Sequence, residues 1–253
     1  MNNIVKYIFG SIVSLAFLLC IALSIHSGKD LREGIVLRRI IVENNSKEGK
    51  RFMSESDVLK HLNQQFGPLI GKKIDDINLY HLELSLDRNT AIEKSQVYVK
   101  NDSTLHINIL ERQPILRFQR GDSGFYCDRN GHLFPLQSNY SVWVPIVDGN
   151  IPIRYDEKLG KKGEKWLEEL ISLHQYLQSK KAWRDRCNQF HIASDGQLTL
   201  CFEGFQEHFL FGDFKNKEKK LEKIEKYISS IRPVAEKEYK SVNVQFKGQI
   251  ICK

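Results

Sequence analysis

The chain has 253 residues, of which 41% are hydrophobic and 27% are charged, a balance typical of folded domains and not of disordered or low-complexity chains. The formal net charge of +7 comes from lysines and arginines that are spread along the sequence without a dense cluster. Because nucleic-acid recognition needs basic residues clustered on one face or a known motif, we expect no nucleic-acid partner.

The N-terminus carries an uncharged apolar run at residues 8–25, and Lys6 is the only charged side chain before it. A helix of that length is about 27 Å long, close to the hydrocarbon thickness of about 30 Å in a bilayer. The length and the poor cleavage site after Ser24 disfavour a signal peptide, and the leucine before Cys20 disfavours a lipoprotein signal. The run therefore predicts an uncleaved transmembrane helix that contacts membrane lipid, preceded by a short tail at residues 1–7.

The charges that flank this run do not decide its orientation. Lys29, Arg32, Arg38 and Arg39 follow it, so the positive-inside rule alone would place the rest of the chain in the cytoplasm. Long domains, however, can cross a membrane regardless of flanking charge. Residues 26–34 are predicted to be a linker between the membrane helix and the folded part.

Residues 35–112 predict a first domain with the element order strand, helix, helix, strand, strand. β-branched residues dominate residues 36–42, as is typical of a strand. A capping-box pattern at residues 54–57 begins the first helix, and a Gly-Pro pair ends it. Residues 77–86 fit both helical and strand periodicity, and the two aspartates before them favour a helix because acidic residues stabilise helix N-termini.

Two strands close this domain, at residues 92–100 and 105–111, around a polar turn. Along the second of them, apolar Leu105, Ile107 and Ile109 alternate with polar His106 and Asn108. Successive side chains of a strand point to opposite faces. We therefore expect Ile107 to be buried in the sheet and His106 to point away from the core.

Residues 113–253 predict a β-rich second domain with two or more helices, which makes the fold class α+β. Apolar residues recur every three or four positions from Trp166 to Leu177, and a second amphipathic pattern covers residues 215–231. The predicted short strands lie at residues 115–120, 124–127, 132–134, 189–193, 197–202, 207–211, 242–246 and 249–252.

The sequence contains no nucleophile elbow, no zinc-protease motif, no P-loop and no dinucleotide-binding motif. One group of residues has metal-ligand chemistry, namely Cys187, His191, Cys201 and His208, but its irregular spacing matches no compact zinc pattern. We therefore expect no catalytic residues, no metal and no cofactor, and a binding protein rather than an enzyme.

Four cysteines lie outside the apolar N-terminal run, at Cys127, Cys187, Cys201 and Cys252. Their number allows two disulfides, whose connectivity sequence does not give. Isolated cysteines in strands more often behave as small buried hydrophobes, which favours free thiols.

A series of short segments carries a resemblance to a known family through its order and spacing. These are the strand at residues 38–44, a strand at 105–111 followed by Arg112, Gln113 and Pro114, a hairpin at 125–134 with an Asp and Gly turn, the stretch 145–149, the strand 209–212, the pair Lys220-Leu221 in the next helix, and the last strand at 242–246. Together they resemble the FtsQ/DivIB family of bacterial cell-division proteins. The sequence departs from the family at Asn243 and Gln245, where charged residues are usual.

The resemblance implies a short cytoplasmic tail at residues 1–7 and a transmembrane helix at residues 8–25, then a POTRA domain of β-α-α-β-β order at residues 35–112, then a β domain at residues 113–253. It also implies a non-enzymatic divisome assembly factor in the cytoplasmic (inner) membrane at the septum, with the C-terminal part outside the cytoplasm. Such a protein links early and late division proteins and supports septal peptidoglycan synthesis. The implied partners are FtsB-like and FtsL-like bitopic proteins and other divisome membrane proteins.

In the family the last strands carry the FtsB contact, which makes the C-terminal edge the predicted partner-binding site. The candidate residues are Val244, Gln245, Phe246, Gly248 and Ile250. An edge strand exposes unpaired main-chain groups to which a partner strand can add. Phe246 is either an aromatic anchor for that partner or a residue that fills the domain core, and both interpretations stay open.

Two other classes of protein compete with this interpretation. Another POTRA-bearing envelope protein, serving outer-membrane assembly or secretion, would usually carry several POTRA repeats or the ten-residue alternating strands of a membrane barrel. A membrane-anchored envelope hydrolase would need a nucleophile or metal constellation, which the sequence does not contain.

Overall fold

The computed structural model describes residues 13–21, 23, 34–46, 51, 53–100, 102–136, 141–154 and 165–253. The chain divides into two compact units, which are described separately. The first unit comprises Met1–Ser46, Met53–Asn89 and Lys94–Leu110, and the second comprises Lys47–Phe52, Thr90–Glu93 and Glu111–Lys253.

Within the predicted membrane segment, residues 13–21 and 23 are helical and expose their apolar side chains. Across the part of the chain that is described, no helix combines the length and the apolar character needed to span a bilayer. The rest of the predicted span, the predicted tail at residues 1–7 and nearly all of the linker lie outside the described residues.

The first unit has the predicted element order, which is confirmed. Its helices are α1, Glu55–Phe66, and α2, Leu79–Asp87, and its strands are β1, Arg39–Asn44, β2, Ile92–Val99, and β3, Thr104–Glu111. The strands form a sheet in the order β1-β3-β2, with β1 parallel to β3.

Local sequence signals account for both helices. At the start of α1 the Ser54 hydroxyl accepts from the Asp57 backbone N–H at 3.2 Å, and the Asp57 carboxylate accepts from the Ser54 N–H at 2.9 Å. This is the capping box that the sequence predicts. The ambiguous segment is the helix α2, in which Leu82 and Leu86 are buried one turn apart.

The middle strand β3 corrects one expectation. Ile107 is fully buried, as predicted, but His106 is only 4% exposed. The His106 ring stacks on Tyr98 with 5.2 Å between ring centroids and an interplanar angle of 11°. His106 lies on the strand face opposite Ile107, but the expectation that this face leaves it solvated is wrong, because β3 is the middle strand and side chains of its neighbours, Tyr98 among them, cover His106.

The second unit is built on one nine-stranded sheet in the order β12-β11-β10-β9-β8-β7-β4-β5-β6. The strands are β4, Pro114–Arg120, β5, Ser123–Asp128, β6, Leu133–Pro135, β7, Ile146–Gly149, β8, Cys187–Ile192, β9, Leu198–Phe202, β10, His208–Gly212, β11, Ser241–Asn243, and β12, Ile251–Cys252. Most neighbours are antiparallel, while β7 runs parallel to β4 and β8, and β11 runs parallel to β10.

Two amphipathic helices complete the second unit, as the sequence predicts. They are α3, Lys165–Ser179, and α4, Lys217–Lys226, which continues into a π-helical turn at Tyr227–Ile231 and a 3-10 turn at Arg232–Val234. Leu173 of α3 and Ile224 of α4 share a single apolar core with Phe190, Leu200 and Phe209 of the central strands. The core thus fixes α4 relative to β10 and β11.

Candidate partner-docking site at the C-terminal edge

The predicted docking segment at residues 242–246 is not the edge of the nine-stranded sheet, because β11, which contains its first two residues, pairs with β10 on one side and with β12 on the other. β12 is the last strand in the sheet order and pairs antiparallel with β11. Reciprocal main-chain bonds join Ser241 and Lys253, with N–O distances of 3.0 and 2.9 Å. The C-terminus is therefore held in the sheet, and the outer side of β12 is its edge.

The two last strands are shorter than the sequence predicts. β11 ends at Asn243, and the last bond to β10 is donated by the Val244 N–H to the Leu210 carbonyl at 3.1 Å. The Asn243 side-chain oxygen then accepts from the Gln245 N–H at 2.9 Å. This side-chain bond to the backbone two residues on redirects the chain, so the predicted strand at 242–246 stops early.

Residues 244–250, called the docking turn below, connect β11 to β12. Within it the Gln249 N–H donates to the Phe246 carbonyl at 3.4 Å, and Gly248 adopts φ +71°. A positive φ at the third position of a four-residue turn is the conformation that glycine adopts without steric cost.

The five candidate residues do not share one environment. Val244 is fully buried in the core, so its side chain cannot meet a partner. Gln245 and Ile250 are half-buried, and Gly248 is exposed. Phe246 is 50% exposed and lies outside the buried core. The surface of the docking turn therefore presents Phe246 as its large apolar side chain.

A lysine from α4 organises the interior of the docking turn. The Lys223 ammonium donates to the carbonyl oxygens of Val244, Phe246 and Gln249, the latter two at 2.6 and 3.5 Å. Burial lowers the pKa of Lys223 below its usual value, and the charge of Lys220 lowers it further. We call this set of contacts the Lys223 clip.

Lys220, one turn earlier on α4, has a separate partner. Its buried ammonium donates to the Asp213 carboxylate at 2.6 Å and to the Asp213 carbonyl at 2.7 Å. The hydrogen bond from Lys220 is the main reason that the pKa of Asp213 is lowered. Lys220 thus anchors the start of α4 to the end of β10, and Lys223 is left to the docking turn.

Gly212 at the end of β10 allows the side chain of Gln245, in the docking turn, to pack close to the β10 backbone. It adopts φ +81°, and a Cβ at this position would lie 2.8 Å from Gln245 Cγ and 3.0 Å from Gln197 Oε1. A side chain on residue 212 would therefore displace Gln245. The glycine is needed both for its backbone conformation and for this approach.

Of the five residues named from the sequence, only Phe246 and Gly248 are exposed, and sequence reasoning missed Lys223 and Gly212. Lys223 lies on the charged face of a helical pattern, where a lysine is normally solvated, and its partners are main-chain carbonyls that leave no mark in the sequence. The sequence signal for Gly212 is weak, since it is only a small residue at the end of the strand that precedes the helix.

The four candidate metal ligands are divided among different contacts. Cys201 Sγ lies 3.2 Å from His208 Nδ1, whereas His191 Nδ1 lies 2.9 Å from the Asp148 carboxylate. Cys187 is buried in the core. Within the described ranges no three cysteine, histidine or acidic residues converge to hold a metal ion.

The cysteines are free thiols in the structure. Cys127 and Cys187 are buried, and this burial raises the pKa of both thiols. They behave as small hydrophobic residues, which agrees with the expectation from their scattered positions.

The architecture defines a class of protein in which a POTRA-like unit is followed by a unit with a mixed sheet. In this chain the turn before the edge strand β12 exposes Phe246. The sequence matches a POTRA-like domain family over residues 38–110. It matches the family FtsQ/DivIB, C-terminal related, over residues 113–253, which is more than half of the chain. The chain belongs to the FtsQ/DivIB family and is a cell-division protein. A comparison with curated proteins finds no match.

Proposed function

We propose that this chain is a non-enzymatic assembly factor of the divisome, located in the cytoplasmic membrane at the division septum. Residues 8–25 would serve as its anchor, and the two folded units would lie outside the cytoplasm. It would link early and late division proteins and support septal peptidoglycan synthesis through protein–protein contacts. Membership of the FtsQ/DivIB family and the uncharged apolar run before the folded units support this proposal.

The observation that carries the proposal is the half-exposed Phe246 on a turn beside the edge strand β12. A strand of an FtsB-like partner can extend the sheet through main-chain hydrogen bonds, which demand little of the partner's sequence. Specificity then has to come from side chains. Aromatic residues in desolvated contacts contribute most to interface energies, so Phe246 is the anchor in this mechanism.

An FtsL-like protein and other divisome membrane proteins complete the proposed set of partners. The FtsQ/DivIB match over the second unit favours this role over that of a POTRA-bearing protein of outer-membrane assembly or secretion. Binding, and not chemistry, is then the property to measure.

The test is the affinity of the chain for the FtsB-like protein of the same genome. Phe246→Ala should weaken binding by about tenfold or more, as expected for the loss of an interfacial aromatic, while the melting temperature stays nearly unchanged. Trp143→Ala is the matched control, because Trp143 is an aromatic of the same unit, is 65% exposed, and precedes β7, which four strands separate from β12. Unchanged binding in Phe246→Ala with an intact fold would remove Phe246 from the interface.

A further inference from the structure

We infer that Lys223 is a positioning residue that holds the docking turn in its partner-binding conformation. This inference rests on the proposed function, since it deepens the role of the same edge. Lys223 belongs to α4, and its ammonium binds the carbonyls of Val244, Phe246 and Gln249.

The spacing of the three carbonyls is the first argument. They belong to residues that are two and three positions apart, and they meet at one nitrogen only because the chain reverses around it. A lysine ammonium has three donors and no acceptor, so it can satisfy all three oxygens at once. Without the ammonium, three converging carbonyl dipoles would repel one another, and the turn would open.

The anchoring of Lys223 is the second argument. Its neighbours Leu221 and Ile224 are buried in the core, so the backbone of α4 is fixed there. The docking turn, by contrast, has exposed or half-buried side chains from Gln245 to Ile250. The conformation of the turn is therefore transmitted from a rigid helix through one side chain.

The direction of the side chains is the third argument. With the Phe246 carbonyl turned inward to Lys223, half of the Phe246 side chain stays exposed at the surface. A turn that already holds this geometry loses less conformational entropy when a partner binds. The clip thus acts on affinity through Phe246 without touching the partner.

The experiment compares three substitutions in the full chain, Lys223→Met, Lys223→Arg and the control Lys219→Met. Lys219 is an exposed residue of the same helix, so its replacement changes the charge equally and leaves the clip intact. Two quantities are measured: amide hydrogen exchange of residues 244–250 without partner, and the dissociation constant for the FtsB-like protein. The melting temperature reports any global effect.

Lys223→Met should accelerate exchange at the Gln245 and Gln249 amides by about tenfold or more, because local opening of the turn becomes easier while strands β8 and β9 keep their protection. Its affinity should fall about fivefold to tenfold, as expected when preorganisation is lost. Lys223→Arg keeps the charge and the donors and should recover most of the affinity, and Lys219→Met should resemble the unchanged chain.

Unchanged exchange at residues 244–250 in Lys223→Met would overturn the inference whatever the affinity does. Faster exchange with unchanged affinity would also overturn it, provided that Phe246→Ala weakens binding in parallel. If Phe246→Ala leaves binding intact, the proposed docking site fails, and with it any role of Lys223 in binding; the exchange data then report only on the turn itself.

Discussion

The guanidinium of Arg112 and the carboxylate of Asp128 form an ion pair, with 2.9 Å between Nη1 and Oδ2 and both side chains largely buried. The other carboxylate oxygen accepts from the backbone N–H groups of Asn130 and His132, at 2.8 and 2.9 Å. Asp128 therefore closes the hairpin turn between β5 and β6 and neutralises the arginine at the start of the second unit. This ion pair joins two of the segments on which the family resemblance rests, namely the strand at residues 105–111 with the Arg112 that follows it and the hairpin at residues 125–134.

Asp128→Asn should destabilise the second unit by about 3 kcal/mol, because the amide can still close the turn but leaves the buried Arg112 without a counter-charge. Asp195→Asn is the control, since Asp195 closes an exposed turn through the same kind of bond to Gln197. Urea unfolding of the two variants measures the difference. Equal, small losses in both would show that the ion pair contributes nothing beyond the turn.

His106→Asp should destabilise the first unit nearly as much as Ile107→Asp, by on the order of 3 kcal/mol, since both changes bury a carboxylate. The alternation of the sequence alone predicts a mild effect at His106. Leu110→Asp, on the same face of β3 as His106 but 37% exposed, should be well tolerated. Thermal melts that rank His106→Asp with Leu110→Asp would contradict the buried, stacked position of His106.

Glu207 makes the stability of the second unit depend on pH. Burial alone raises the pKa of this carboxyl, but hydrogen bonds from its own backbone N–H, from Tyr227 and from Arg232, together with the Arg232 charge, outweigh burial and lower it. The Tyr227 hydroxyl and Arg232 Nε both donate to Oε1, at 2.9 and 2.8 Å. A lowered pKa in the folded state stabilises the fold above the unfolded-state pKa of about 4.3 and ceases to do so as the pH falls through the folded value.

Glu207→Gln should therefore reduce the free energy of unfolding most at neutral pH, and the difference from the unchanged chain should shrink as the pH falls below about 4. Urea unfolding between pH 3 and pH 7 measures this. A difference that is constant over the range, or that grows in acid, would mean that the charge of Glu207 is not what stabilises the fold.

The proposed topology predicts that a protease added to intact spheroplasts digests the folded units. Digestion follows if residues 26–253 lie outside the cytoplasm, against the plain count of flanking positive charges. A cytoplasmic marker protein, cut only after lysis, controls for leakage. Protection of the chain until lysis would reverse the orientation, and a fluorescent fusion absent from the septum of dividing cells would contradict the proposed location.

Features that depend only on residues close together in the chain could be predicted from the sequence. The capping box at Ser54 and Asp57 needs only four residues, and the buried pair Leu82 and Leu86 follows from helical spacing. The burial of Ile107 likewise follows from strand alternation. In each case the pattern within one element is sufficient to identify the face that meets the core.

The features that could not be predicted from the sequence depend on which elements become neighbours in the fold. His106 is buried because β3 has a strand on each side, and that order is a property of the sheet. The Lys223 clip joins a helix to main-chain carbonyl groups more than twenty positions later in the chain. Every residue has such a carbonyl group, so the residue types at those positions do not reveal the contact. The early end of β11 depends on one Asn243 side chain that competes with the ladder.

The shortness of β12 has a consequence for copies of the same chain. Two residues, Ile251 and Cys252, offer roughly one or two main-chain hydrogen bonds on their outer side, whereas edge-to-edge joining of two sheets needs a longer ladder. Two copies of the chain therefore gain little by joining at this edge. Under the proposed function, a partner strand would therefore need the additional contact with Phe246 to bind at this edge.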